Sequence, residues 1–135
     1  MTKSNSIRAA VELGARLRHI FVGTADAEGR PHLAAAGAIV LVPDERIAVD
    51  AWFCPGTVMN LERNPRISLV VWDQPRDSGY QLLGEVEKIE EQSFMDGYAP
   101  GMEDLKPSPQ IERRLLVRVD KVIGFSHAPH SDLEE

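Results

Sequence analysis

Thr57 and Asn60 stand three residues apart in the run G-T-V-M-N-L-E-R-N-P-R-I-S-L-V-V-W-D, residues 56–73. On a helical turn that spacing puts a hydroxyl and a carboxamide on one face. With the free amides of a helix N-terminus they make a small anion site, the kind that holds phosphate. On spacing alone the plainer reading, that Thr57 merely caps the helix, is the favoured one, with the anion site as its alternative. Leu61 points inward, and Asn64-Pro65 ends the helix because the residue before proline avoids the α region. Residues 67–72 then form a near-continuous apolar run, as expected of a strand covered on both faces.

Other chemically capable residues are less organised. Cys54 precedes Pro55-Gly56 without a second cysteine or a histidine partner, and reads as a free structural thiol. His127, His130 and Asp132 could ligate a metal only adventitiously, so no metal site is expected. Glu85, Glu87, Glu90 and Glu91 read as a solvated strand end rather than paired catalytic carboxylates. Trp52 and Trp72 suit either stacking on a flat ring or ordinary packing. Walker, Rossmann and G-x-S-x-G patterns are absent, and no catalytic acid or base can be named.

The elements that must position these residues follow from periodicity. Ile7, Ala10, Val11, Leu13, Gly14 and Leu17 recur at helical spacing, which predicts an amphipathic helix over residues 6–18. Strand signals come next: residues 19–25, a hairpin turn at Asp26-Ala27-Glu28-Gly29, a returning strand over residues 31–42, and a further strand over residues 46–53. After the helix at residue 56, strands are expected over residues 66–73 and 80–91. On the second of these, Leu82, Gly84, Val86 and Lys88 would share one side, with Gln81, Leu83, Glu85, Glu87 and Ile89 on the other. A short helix over residues 91–98, a proline-bearing loop over residues 99–109 and a final strand or pair of strands over residues 112–125, with Asp120 the place for a bend, complete the expectation. Tight turns between successive strands imply a mainly antiparallel sheet, and closing it into a barrel removes exposed edges.

Length and composition set the frame. A chain of 135 residues makes one domain, expected over residues 1–126 with a flexible tail at 127–135. A net charge of −6 without a dense basic cluster argues against nucleic acid. No window reaches the ~18 apolar residues of a membrane span, and the first residues lack the apolar core of a signal peptide. One cysteine excludes an internal disulfide framework and fits a reducing compartment, so the cytoplasm is the expected location.

Three pieces of the chain, in order, resemble the pyridoxamine 5'-phosphate oxidase-like superfamily of FMN-binding split β-barrels. They are T-A-D-A-E-G-R-P-H-L at residues 24–33, R-I-A-V-D-A-W-F followed by T-V-M-N-L-E-R-N-P-R-I-S-L-V-V-W-D, and G-Y-Q-L-L-G-E-V-E at residues 79–87. Each motif is soft alone, whereas the ordered set is fairly specific and covers about residues 18–89. The resemblance implies a mainly β, antiparallel split barrel that works as a homodimer with two flavin sites in the subunit interface. It implies an oxidoreductase that takes hydride or electrons through FMN from an unknown small-molecule substrate.

It also implies site residues. The flavin phosphate would meet Gly56, Thr57 and Asn60. Backbone amides along Ala34, Ala35 and Ala36, and around Asp50 and Ala51, would face the ring. Gln81 would donate to a flavin carbonyl. Packing of a tight barrel strand explains the alanines as readily, and a surface position explains Gln81. Typical members place arginine or lysine on the phosphate, but this chain has Ala34, Gly56 and Thr57 there, leaving Arg30, His32 or Arg63 to substitute. A charge-assisted contact is worth about twice a neutral hydrogen bond, so FMN binding should be weaker here. A deazaflavin, or a non-catalytic flavin- or heme-binding carrier or sensor on the same barrel, is the alternative. The C-terminal H-A-P-H-S-D-L-E-E does not resemble the arginine-bearing substrate segment of the vitamin B6 enzyme itself.

Overall fold

In the computed structural model, residues 2–52, 55–95 and 110–129 are described. Cys54, the loop at 99–109, and His130 and Asp132 lie outside them. The chain opens with α1 (Lys3–Leu17), capped by the Thr2 side chain, which accepts a hydrogen bond from the Asn5 amide at 3.1 Å. Seven strands follow: β1 (Ile20–Ala25), β2 (Pro31–Ala36), β3 (Ala38–Val42), β4 (Arg46–Trp52), β5 (Arg66–Asp73), β6 (Ser78–Met95) and β7 (Gln110–Gly124), with α2 (Pro55–Arg63) between β4 and β5. All are antiparallel, in the order β2-β1-β5-β6-β7-β4-β3. No helix among the described residues is long and apolar enough to cross a membrane.

That order explains the barrel. β2 and β3 are consecutive in the chain yet stand at opposite ends of the sheet. The single strand expected over residues 31–42 is in fact two, broken at Gly37. Ala36 pairs with Ile20 of β1, whereas Ala38 pairs with Asp50 of β4. One bent stretch thus bridges both edges, and the sheet curls on itself into a split barrel. The interior holds Ile20, Val22, Ile47, Val49, Leu69, Val71, Leu82, Leu115 and Val117, all almost fully buried, with Ile7, Ala10 and Leu13 of α1 packed over one opening.

Two features of β6 and β7 depart from simple alternation. Asp120 is the extra residue where Leu83 pairs with Lys121 but Gly84 with Val119, so the expected bend near Asp120 is a β-bulge. Only glycine fits opposite it, because a Cβ on Gly84 would collide with the Arg118 carbonyl oxygen. A second bulge at Glu87 shifts the phase, since Val86 pairs with Val117 and Lys88 with Leu116. Val86 and Ile89 therefore both pack against the core while Lys88 is exposed, which corrects the expected faces. The helix expected over residues 91–98 is also corrected as far as Met95, residues 96–98 lying outside those described. Through Met95 the chain stays extended, pairing with Gln110 to Arg113; the distant partner overrides a weak local propensity.

Candidate functional site

The barrel's seam runs between β2 and β4, with the first turn of α2 beside β2. His32 of β2 stands against the first turn of α2: a Cβ on Gly56 would lie 3.3 Å from His32 Nε2 and 3.5 Å from its Cε1. β2 and β4 approach each other without forming a ladder among the described residues. A strand edge presents backbone N–H and C=O groups outward, so the seam suits a ligand read by backbone.

Most of the anticipated site residues collect along this seam. Ala34 and Ala36 turn toward the core, and Ala36 is buried among it. Ala35 lies on the other face of β2, exposed, opposite Phe21. Asp50 accepts a forked ion pair from Arg114, at 2.9 Å from Nε and 3.3 Å from Nη2, which fixes β4 against β7. Ala51 sits one residue further along β4, opposite Arg113. Gly56 and Thr57 form the first turn of α2.

Thr57 is almost fully buried, and its Oγ1 has no hydrogen-bond partner among the described residues. An orphaned buried hydroxyl is costly, on the order of 1–3 kcal/mol, unless something satisfies it. Asn60 has a different engagement. Its Nδ2 donates to Thr24 Oγ1 at 3.0 Å and ties α2 to β1, so its amide nitrogen is not directed at the α2 N-terminus. Val58 and Leu61 bury the inner face of the helix.

Gln81 stands elsewhere. Its Nε2 donates to Ser68 Oγ at 2.6 Å inside a groove of about 800 Å³ on the outer face of β1, β2, β5 and β6. Phe21, Leu33, Val70, Trp72 and Phe125 make this groove apolar, and Gly23 lies opposite Leu33 and Ser68. Trp72 and Phe125 meet edge to face at 5.7 Å. Their end of the groove is fixed by Asp77, which accepts from Trp72 Nε1 at 3.1 Å and from the His127 amide at 2.8 Å. Those bonds, the His127 amide foremost, hold the Asp77 carboxyl below its ordinary pKa. Thr24 and His32 belong both to this groove and to the seam, so the two features meet at the α2 N-terminus.

Gln81 and Asp50 are not brought together within one chain. Asp50 pairs with Arg114, and Arg114 pairs with Glu90, nine residues along β6 from Gln81. That is about 30 Å of strand, longer than an isoalloxazine ring. The groove itself was not anticipated from sequence, although the outward residues of β1 and β5 (Phe21, Val70 and Trp72) carried the signal as apolar side chains at positions facing away from the core. Of the three possible substitutes for the missing cations, Arg30 is held by Asp26 at 2.7 Å and Glu28 at 3.1 Å. Arg63 ends α2, far from its N-terminus. His32 alone touches the first turn.

A seven-stranded antiparallel sheet rolled into a split barrel, with a short helix between β4 and β5, defines the class. The model of the pyridoxamine 5'-phosphate oxidase family matches residues 7–122, and the chain belongs to that family. Among solved structures, an FMN-binding protein from Syntrophomonas wolfei is similar with a TM-score of 0.69 and 13% identity, over 93% of this chain and 90% of that one. A pyridoxinephosphate oxidase family protein from Clostridium acetobutylicum aligns with a TM-score of 0.65 and 19% identity, over 94% and 92%. An F420 reductase aligns with a TM-score of 0.58 and 16% identity, over 82% and 93%. At these identities the likeness carries the fold. No curated protein matches the chain.

The residues present fit a flavin phosphate in two respects. Gly56 leaves beside His32 a space that a Cβ would fill, and Thr57 holds a buried hydroxyl without a partner.

Proposed function

We propose that this protein is a cytoplasmic FMN-dependent oxidoreductase of the split-barrel class, working as a homodimer with flavin held between the two copies. Bound FMN would supply the acceptor for hydride or electrons from a small-molecule substrate. The chain's own residues bind and orient it. Gly56 and Thr57 receive the phosphate at the α2 N-terminus, where backbone amides and the helix dipole favour an anion. Backbone along Ala34 to Ala36 and around Asp50 and Ala51 meets the ring across the seam, with Arg114 fixing Asp50. Gln81 reaches the ring from the other copy, because within one chain it lies too far along β6. Closing the apolar groove against a second copy also excludes water around the reacting atoms.

The observation that carries this reading is the seam itself, with its space at Gly56 and the unpartnered Thr57 hydroxyl. An ultraviolet–visible spectrum of purified protein, before and after adding FMN and gel filtration, tests it. Flavin bands retained at about one per subunit support the reading; protein that stays colourless after loading would falsify it. A second reading is favoured by the uncharged Ala34, Gly56 and Thr57. It is a non-catalytic carrier or sensor for a flavin, a deazaflavin or a heme on the same barrel. Stoichiometric binding with no reduction by any nicotinamide or other hydride donor would select it.

A further inference from the structure

We propose that Arg66 receives the carboxylate of the substrate, so that the oxidoreductase read above acts on small apolar acids. This inference rests on the flavin reading and names a substrate class for the groove beside that site. Arg66, Ser68, Val70 and Trp72 stand at alternate positions of β5, and all four line the apolar groove. Its floor therefore runs about 20 Å along the strand. Trp72 and Phe125 close one end. Arg66 stands at the other, where Ala25 and Pro31, paired in the first hairpin, also line the groove. Thr24 and His32 border the same end, which is where groove and seam meet. A molecule held there would lie beside the flavin.

The charge at this end has no counterpart in the chain. Among the described residues no aspartate or glutamate lines the groove, and Arg66 is its one fixed charge. The Arg66 backbone amide donates to Asn64 Oδ1 at 3.2 Å, but the guanidinium has no hydrogen bond or ion pair among the described residues. Glu85 stands directly across from it on β6, the natural partner for such a pair. Arg118 takes that carboxylate instead, at 3.2 Å, and also engages Asp120 at 3.1 Å and Glu87 at 3.8 Å. Glu85 and Asp120 are the acids of the polar hollow that adjoins the groove at Arg66. One arginine thus gathers the nearby acids, and the other is left at the groove without one.

The chemistry of the occupant follows from that charge and its surroundings. A guanidinium fork matches a planar carboxylate through two parallel hydrogen bonds. One cation balances one negative charge, whereas a phosphate dianion would bring a second charge into a groove with no other fixed cation. Next to Arg66 the lining is low and apolar: Gly23, Ala25 and Leu83 leave room for a flat body, with Leu33 on the rim. The volume, about 800 Å³, is that of a small-molecule site. The occupant is a ring or short hydrocarbon carrying a single carboxylate.

The test titrates naphthoate and naphthamide, one ring system with and without the charge, into the natural chain, Arg66→Gln and Arg66→Lys by calorimetry, with and without FMN. A hydrogen bond between charged groups predicts that the natural chain prefers the acid about tenfold or more. Arg66→Gln should bind the amide as the natural chain does and lose the preference. Arg66→Lys should keep part of it, and all three should take up FMN alike. The same preference in the natural chain and Arg66→Gln overturns the inference, as does failure of both probes to bind a natural chain that holds FMN. Loss of FMN from Arg66→Gln assigns the guanidinium to the cofactor and overturns it too. An acid preference that needs Arg66, in a natural chain that takes up no FMN, supports the carboxylate site and overturns the flavin reading instead.

Discussion

Replacing Leu33 with glutamate tests the arrangement of two copies most directly. Leu33 is 74% exposed on the rim of the apolar groove, on β2 opposite Gly23. Fully burying a leucine side chain contributes about 1.5–3 kcal/mol, so roughly three quarters of that, about 1–2 kcal/mol, is available when a second copy covers it. Glutamate forfeits this contribution and must also be desolvated in an apolar surround, which costs several kcal/mol more. The sum is at least about 4 kcal/mol for each substituted position, near a thousandfold in dimer dissociation constant. Two symmetry-related positions would double the effect.

Sedimentation velocity across a concentration series is the assay, with Leu41→Glu as the control. Leu41 is also exposed, at 36%, but lines a separate hollow beside the N-terminal turns of α1. Leu33→Glu should be monomeric at micromolar concentration and lose FMN, while Leu41→Glu stays dimeric and keeps it. A Leu33→Glu protein that remains dimeric with flavin bound would refute the reasoning, because the groove could not then be the covered face. A natural chain that is monomeric with FMN bound would refute it as well.

Two further outcomes concern the frame. Gly84→Ala drives a methyl group into the Arg118 carbonyl at the Asp120 bulge, with the Val117 side chain close beside it. Urea unfolding should show a loss of about 2 kcal/mol or more, within the range of overpacking and strain; a loss below half a kcal/mol would mean the bulge relaxes freely. Asp26→Asn tests the first hairpin. The Arg30 amide foremost, then the Arg30 side chain and the Glu28 amide, hold the Asp26 carboxyl below its ordinary pKa. A depressed folded-state pKa gives stability that is present above the unfolded value near 4 and is lost as pH falls through the folded one. The variant should therefore be less stable than the natural chain at pH 7, and the difference should shrink as pH falls below the unfolded value near 4. Equal urea midpoints at pH 7 would show that the turn contributes nothing measurable.

The part of the site legible in sequence was the part made by neighbours in the chain. Thr57 and Asn60 are on one helix, and Gly29, at φ 82°, closes the turn its type predicts. Asn64-Pro65 ends α2 where expected, with helix through Arg63. What Asn60 does was not legible, because its partner Thr24 lies 36 residues away. Nor was the proximity of His32 to Gly56, which depends on where the bent strand crosses the seam. Gln81 was placed on the right strand, but its distance from Asp50 along the curled sheet follows only from the register of β6 with β7 and of β7 with β4.

Most strand positions and the antiparallel trend were therefore legible in the amino-acid sequence alone, since apolar alternation and turn chemistry are local and survive in any arrangement of partners. The barrel was legible only through the need to remove exposed edges and the family resemblance. Three things were decided only in the tertiary structure. The stretch over residues 31–42 changes partner at Gly37, the phase of β6 flips at the Glu87 bulge, and Glu91 to Met95 extends a strand instead of beginning a helix. Each depends on which distant segment supplies the backbone hydrogen bonds, and periodicity along one strand carries no information about its neighbour. The groove and the seam are products of those same long-range pairings, which is why residues far apart in the chain meet at the α2 N-terminus.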